Sequence, residues 1–512
     1  MVTKHALSKP GGQPPADVLN IHIAADSPME KYPAKQHARN VARRLPTRDG
    51  LIYLEGMSEV LFEDSDEAIK FRQKRYFLYL TGVVDMPDCF VTYSIAQDRL
   101  TLYIPPFDPN EVLWSGYPPS IEDCIFKYDV DEVLYSTSIT DKIMEFHLTF
   151  QSSPIYTIHH QVSRIPSRIP RKFISDQYLQ PAIDDCRVYK DDYEIKLLRQ
   201  ANIISANAHR AVLEAVQTAQ TEAQLEGIFV QTCISQHART QAYDPIVGSG
   251  QNCATLHYTR NDAPLKGKQL LLIDAGAEWA GYASDVTRTY PISGKWTKEA
   301  SEIYNIVDEM QKECIKKTVA GVDWRDTHLL AHRIAIKGLM ALEILYNGTA
   351  EEIFQCGTSR AFFPHGLGHF LGLETHDVEG APDVKWKPAT GQLGSIASLP
   401  KPMLGRGLYR AVVRRVLEPR MVITVEPGMY ELPTTAHFPP SICIARLTIP
   451  SYFSRFIIQA FLDHPVHSRY INKAVLERYW AVGGVRIEDD ILVLDNGKNE
   501  NLTTAPRIEP TG

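Results

Sequence analysis

The chain has 512 residues, 44% hydrophobic and 22% charged, with a formal net charge of -7. That length supplies a large core divided among roughly two to four domains, and the acidic balance argues against a nucleic-acid or anionic-membrane binder, since both need a basic surface. Peptides or small molecules suit it better. The eight cysteines (Cys89, Cys124, Cys186, Cys233, Cys253, Cys314, Cys356 and Cys443) are dispersed and contain no CxxC pair, the pattern of reduced, buried thiols. No apolar run has signal-peptide or bilayer-spanning length, so a cytoplasmic protein is expected.

Residues 1–30, with Pro10, Gly11, Gly12, Pro14 and Pro15, read as a flexible tail. Short apolar, β-rich segments follow at 51–54, 76–80, 90–94 and 100–104; the last two, joined by Ala96, Gln97 and Asp98, form an expected hairpin. Interspersed helical segments make residues 31–182 an α/β unit. At Asp191 the pattern changes. Asp191 and Glu194 have capping-box spacing, and Ile195, Leu198, Ala201, Ala208 and Val212 recur at helical intervals, so a long helix opens a second unit spanning 190–512. A further helix from Lys298 carries Ile303, Ile306, Met310 and Cys314 and stops at Gly321, and Asp323 caps another that runs to Leu345.

Four carboxylates and an imidazole interrupt apolar or glycine-punctuated segments of this second unit, where an unpaired charge is costly. Asp274 ends the strand-like run Gln269-Leu-Leu-Leu-Ile-Asp274, and Asp285 lies on a returning strand. A turn centred at Trp279 and Ala280 places the two aspartates opposite each other, which makes sense with a cation between them. His365-Gly-Leu-Gly-His369, followed by His376, gathers three imidazoles in twelve residues. It is not the zincin HExxH, and its glycines suggest close backbone approach. Glu426 and Glu488 each stand in an interior-strand pattern, with Arg486 on the same face as Glu488, a pair that alone would read as a buried salt bridge. Four carboxylates to one histidine without thiolate favour two Mn2+ ions, with Co2+ or Zn2+ as substitutes, and a two-metal centre implies hydrolysis.

Taken together, Ile-Asp274-Ala-Gly, Ser-Asp285-Val-Thr-Arg-Thr-Tyr-Pro, His365-Gly-Leu-Gly-His369, Val-Glu426-Pro-Gly and Val-Arg486-Ile-Glu488-Asp resemble the pita-bread dinuclear metallopeptidases of the Xaa-Pro aminopeptidase and prolidase branch. The resemblance implies an α/β (α+β) protein with a creatinase-like N-terminal domain over 31–182 and a pita-bread catalytic domain over 190–512. It implies that Asp285 and Glu488 bridge two ions, Asp274 completes one, and His369 and Glu426 complete the other. Glu426 would also serve as general base for a bridging hydroxide. His257, His365 and His376 would line the substrate site, with His257 and His376 at the scissile carbonyl and Arg486 orienting substrate or ligand. The implied reaction removes the N-terminal residue from peptides with proline second, with the Xaa-Pro dipeptidase (prolidase) as the alternative, in a homodimer or higher assembly. The physical difficulty is plain: an Xaa-Pro bond has no N–H and its φ is fixed, so proteases that hold an extended chain through that donor handle it poorly.

Three departures stand out. Residues 431–452 look like an insertion close to Glu426, which leaves a catalytically impaired pita-bread protein as a further alternative. Residues 388–415 look long and irregular. Pro419-Arg420 occupies a turn where the resembled family commonly has Pro-Gly, and Arg at a positive φ there would cost ~1 kcal/mol or more.

Overall fold

In the computed structural model of the chain, residues 30–378, 415–430 and 453–510 are described. The expected tail up to residue 29, residues 431–452 with Cys443, and residues 388–414 of the irregular segment lie outside them.

The N-terminal half is a six-stranded mixed sheet in the order β4-β3-β2-β1-β5-β6, comprising β1 (Leu51–Glu55), β2 (Phe90–Ser94), β3 (Arg99–Ile104), β4 (Glu132–Tyr135), β5 (Ile155–Tyr156) and β6 (Ile174–Ser175). The expected hairpin is β2–β3, closed where Ser94 faces Arg99 and where Asp98 takes φ 49°. The expected strand at 76–80 is instead the helix Arg75–Thr81, stopped by left-handed Gly82. Phe77, Leu78, Tyr79 and Leu80 are all buried there. A run buried on every side has no periodicity, so its composition cannot tell helix from strand.

The long helix is Asp192–Ala215, and its capping box is reciprocal: the Asp191 carboxylate accepts from the Glu194 N–H, and the Glu194 carboxylate accepts from that of Asp191. Helices Lys298–Lys317 and Trp324–Ala341 pack together, the second capped by Asp323 as expected. It ends four residues early because Glu343 turns to φ 61°. After Pro465 the chain forms a short 3-10 turn at His467–Arg469 and a helix at Lys473–Leu476. Among the described residues no helix is long and apolar enough to cross a membrane.

Four small sheets surround the acidic residues: Asp274 ends a strand, while Asp285, Glu426 and Glu488 lie in the breaks between strands. The sheets are β7 (Thr240–Gln241) with β10 (Ala277–Trp279) and β11 (Tyr282–Ala283); β8 (Ile246–Ser249) with β9 (Leu270–Asp274) and β12 (Thr287–Pro291); β13 (Val422–Val425) with β16 (Asp489–Val493) and β17 (Asn499–Asn501); and β14 (Gly428–Tyr430) with β15 (Gly484–Arg486). Arg420, just before β13, has φ 70° as expected.

One tight turn of the second unit packs directly against the N-terminal half. Ala280 and Gly281, at φ 49° and 86°, link β10 to β11, and a Cβ on Gly281 would lie 2.5 Å from Leu78 Cδ2 of the N-terminal half. Gly281→Ala is expected to lower stability by about 1–2 kcal/mol, read as a lower urea midpoint at constant slope; an unchanged midpoint would contradict this packing.

Candidate metal centre

Strand β9 is apolar and buried until its last residue, so Asp274 emerges where the strand ends. The register differs from expectation. The two-residue turn sits at Ala280 and Gly281, one position later than the sequence suggested, and Asp274 therefore faces Thr287 rather than Asp285. Moving a hairpin centre by one residue moves each partner by two, so Asp285 keeps the same face and becomes a diagonal neighbour. The Tyr243 hydroxyl lies between the two carboxylates, 2.5 Å from Asp274 Oδ1 and 2.6 Å from Asp285 Oδ1.

The His365–His369 segment is extended and lies along β13. Thr424 N–H donates to His369 O, and Glu426 N–H donates to Leu367 O. A Cβ on Gly368 would meet Thr424 O at 1.9 Å, which is the close approach its glycines suggested. His369 Nε2 lies 3.3 Å from Asp285 Oδ2 and 3.5 Å from Glu426 Oε1. His365 Nδ1 is 3.9 Å from Glu426 Oε2, and its Nε2 meets the Tyr430 hydroxyl at 3.0 Å. His376 packs edge-on to His369, ring centres 4.3 Å apart. His257 is exposed, near enough for its charge to act on both His365 and His376.

Arg486 and Glu488 converge on Thr287, whose hydroxyl donates to Glu488 Oε2 at 2.6 Å and accepts from Arg486 Nε at 3.2 Å. The ion partner of Arg486 is Asp274, at 2.5 Å, and not Glu488; the same guanidinium donates to the Tyr430 hydroxyl. Asp490, on the buried strand β16, accepts the Asp285 N–H and an Asn202 amide proton. Tyr243, Thr287, Tyr430 and Asp490 are the residues that sequence reasoning passed over. Thr287 carried a signal, since it lies two positions from Asp285 on one strand face; Tyr243 carried none.

The electrostatics match a site built for cations. Burial and the neighbouring acids push Glu488 well above the usual carboxylate range, and burial raises Asp274 and lifts Glu426 to about 7. Burial also opposes ionisation of Asp285, but its contact with His369 outweighs this and holds the carboxyl low. For His369, burial is overcome by Asp285 and Glu426, and its pKa rises to about 9. His365 is pushed down to about 3 by burial and Arg486, and His376 to about 4, chiefly by His369. Among the described residues, buried Glu488 Oε1 has no hydrogen-bond partner. An orphaned carboxylate oxygen beside three other acids is costly without a cation. Ligand atoms of Asp285, His369 and Glu488 all lie within 4.8 Å of one another, so these residues fit a metal ion. A second trio, His37, Asp191 and Glu194, is also close, but its atoms are committed to the helix cap, to Tyr79 O and to the Tyr282 hydroxyl.

The profile of metallopeptidase family M24 matches residues 196–495, and that of the aminopeptidase P N-terminal domain matches residues 34–155. The chain belongs to metallopeptidase family M24. It is 46% identical over 497 residues to a probable Xaa-Pro aminopeptidase of Aspergillus clavatus, covering 96% of this chain and 95% of the relative. It is 47% identical over 502 residues to another from Pyrenophora teres f. teres, covering 96% of this chain but only about half (51%) of that longer relative. Solved structures of Escherichia coli aminopeptidase P with the inhibitor Pro-Leu and of Yersinia pestis proline aminopeptidase P II superpose with TM-scores of 0.71 and 0.70. Both are 26% identical; the first covers 94% of this chain, the second 93%, and in each case 97% of the other chain is matched. This M24 chain thus has the expected α/β class, with an aminopeptidase P N-terminal domain ahead of a metallopeptidase domain.

Metal removal gives a pH test with a definite sign. Glu426, Glu488 and His369 have raised folded-state pKa values, so each stabilises the metal-free fold at low pH and loses that contribution as pH rises through its folded value. The buried neutral histidines act oppositely only below about 6.5, where the unfolded chain takes up protons. From pH 6.5 to 9 the metal-free protein should lose more than about 5 °C of Tm. Added Mn2+ should abolish the loss, and His369→Gln should shrink it; a flat metal-free profile would contradict the assigned charge states.

Proposed function

We propose that this chain is a metal-dependent exopeptidase that removes the N-terminal residue from peptides with proline at the second position. The observation that carries the proposal is the meeting of Asp285, His369 and Glu488 within 4.8 Å, flanked by Asp274 and Glu426, in an M24 chain whose relatives are named Xaa-Pro aminopeptidases. In this reading Asp274, Asp285, His369, Glu426 and Glu488 would hold two Mn2+ ions. When bound, such ions acidify water and polarise a carbonyl.

The other steps fall to side chains of the protein. Glu426 accepts the proton of the attacking water and passes it to the leaving proline nitrogen. His257 and His376 face the scissile carbonyl and the oxyanion that develops there. His376, neutral above the usual imidazole pKa, acts there as a hydrogen-bond donor. Arg486 anchors Asp274 and Tyr430, and through Tyr430 fixes His365 beside the substrate. Residues 31–182 and 190–512 are proposed as the two domains, in a cytoplasmic homodimer.

The relatives' names favour the aminopeptidase over the dipeptidase alternative, and the retained ligands favour an active enzyme over an impaired one. With added Mn2+, hydrolysis of an Xaa-Pro-Xaa oligopeptide should exceed that of an Xaa-Pro dipeptide. Asp285→Ala should reduce either rate by about 1,000-fold or more, since it removes a ligand of the metal centre. Preference for the dipeptide would point to prolidase, and no Mn2+-dependent turnover of either would sink the reading.

A further inference from the structure

His376 is exposed at the cleft, and among the described residues no side-chain hydrogen bond fixes its ring, which meets only the edge of His369. Its position therefore depends on the backbone that carries it. The next residue is the opposite in character. The Asp377 side chain is 1% exposed and takes Arg187 on one oxygen, at 2.5 Å, and Lys190 on the other, at 3.1 Å. Both cations are themselves buried, and both come from the connector between the two halves of the chain, at the end of helix Leu179–Arg187 and just before helix Asp192–Ala215. Lys190 Nζ also donates to Arg187 O at 2.7 Å. Two residues before His376, Glu374 is gripped by Arg75 at 3.1 Å and Arg72 at 2.8 Å, from and just before helix Arg75–Thr81 of the N-terminal half. The loop has no slack at its start either, since a Cβ on Gly372 would lie 2.2 Å from Asp377 Oδ2 and 2.9 Å from Lys190 Cε.

We propose that Glu374 and Asp377 are positioning residues for His376, and that the N-terminal half and the connector set the geometry of the substrate site through the four cations that hold them. The inference rests on the reading above, in which His376 meets the scissile carbonyl. A buried ion group is weak evidence for stability, because desolvation offsets most of its attraction, but its directional contacts fix one arrangement of the chain. Here the arrangement fixed is that of the residue between two anchored carboxylates. Displacement of a catalytic group by about 1 Å can cost on the order of 100-fold in rate.

The test is a double-mutant cycle in the full-length, Mn2+-loaded protein with an Xaa-Pro-Xaa peptide, comparing Asp377→Asn, Glu374→Gln and His376→Ala with the corresponding doubles. Asp377→Asn should lower kcat by about 10-fold or more and leave KM within about two-fold. Mn2+ affinity measured by calorimetry should not change. In the His376→Ala background the same substitution should cost less than about two-fold, because its target has gone. Glu374→Gln, at a half-exposed site that tolerates the change, should show a smaller loss with the same non-additivity, and it carries the cycle if Asp377→Asn does not fold. Equal losses with and without His376, weakened Mn2+ binding, or full kcat in both single variants would overturn the inference while leaving the peptidase reading intact. Absence of Mn2+-dependent turnover by the unsubstituted chain would overturn both.

Discussion

Mutual repulsion among buried carboxylates is the constraint that organises this protein. Asp274, Asp285, Glu426 and Glu488 come from segments separated by more than 200 residues and meet where solvent screening is poor. The fold supplies some compensation of its own: Arg486 to Asp274, His369 to Asp285 and Glu426, Tyr243 across the two aspartates, and Thr287 to Glu488. That compensation is incomplete, as the raised pKa values and the unpartnered Glu488 oxygen record. Divalent ions would complete it. Packing holds the mutually repelling acids together, and their uncompensated charge suits a metal ion.

Packing of this kind requires backbones to come closer than side chains normally allow. Gly368 against Thr424 O and Gly276 against Ser284 O, where a Cβ would lie at 1.9 and 1.8 Å, bring the His369 segment onto β13 and close the aspartate hairpin. The N-terminal half completes the framework through polar contacts. His37 bridges Tyr79 O and the Asp191 carboxylate that caps the long helix, while Arg75 reaches both Glu278 and Glu374. Such contacts add little net stability and much geometric definition. The halves of the chain are therefore coupled at the loop that carries His376.

Much of this was legible from local patterns. The Asp191 capping box, the β2–β3 hairpin, the strand ending in Asp274 and the left-handed Arg420 each depend on a few neighbouring residues, and the structure has them as expected. Errors arose where the local signal was degenerate. The helix Arg75–Thr81, buried on all sides but Tyr76, has no polar face to reveal its period. The hairpin turn slipped by one position because Ala280 in a left-handed conformation has no sequence mark, whereas the following glycine does. Arg486, which strand alternation puts on the face of Glu488, pairs with Asp274, 212 residues away.

The sequence by itself determined the ligand types and their membership in one motif set. The chemistry of a carboxylate or an imidazole is local, and so is the strand pattern that exposes it. The tertiary structure decided which of these groups touch, that Tyr243, Thr287, Tyr430 and Asp490 belong with them, and that the loop bearing His376 is anchored to the N-terminal half. Those facts depend on distances between segments far apart in the chain. Such distances are set by the summed packing of the intervening residues, and no short stretch of sequence encodes that sum.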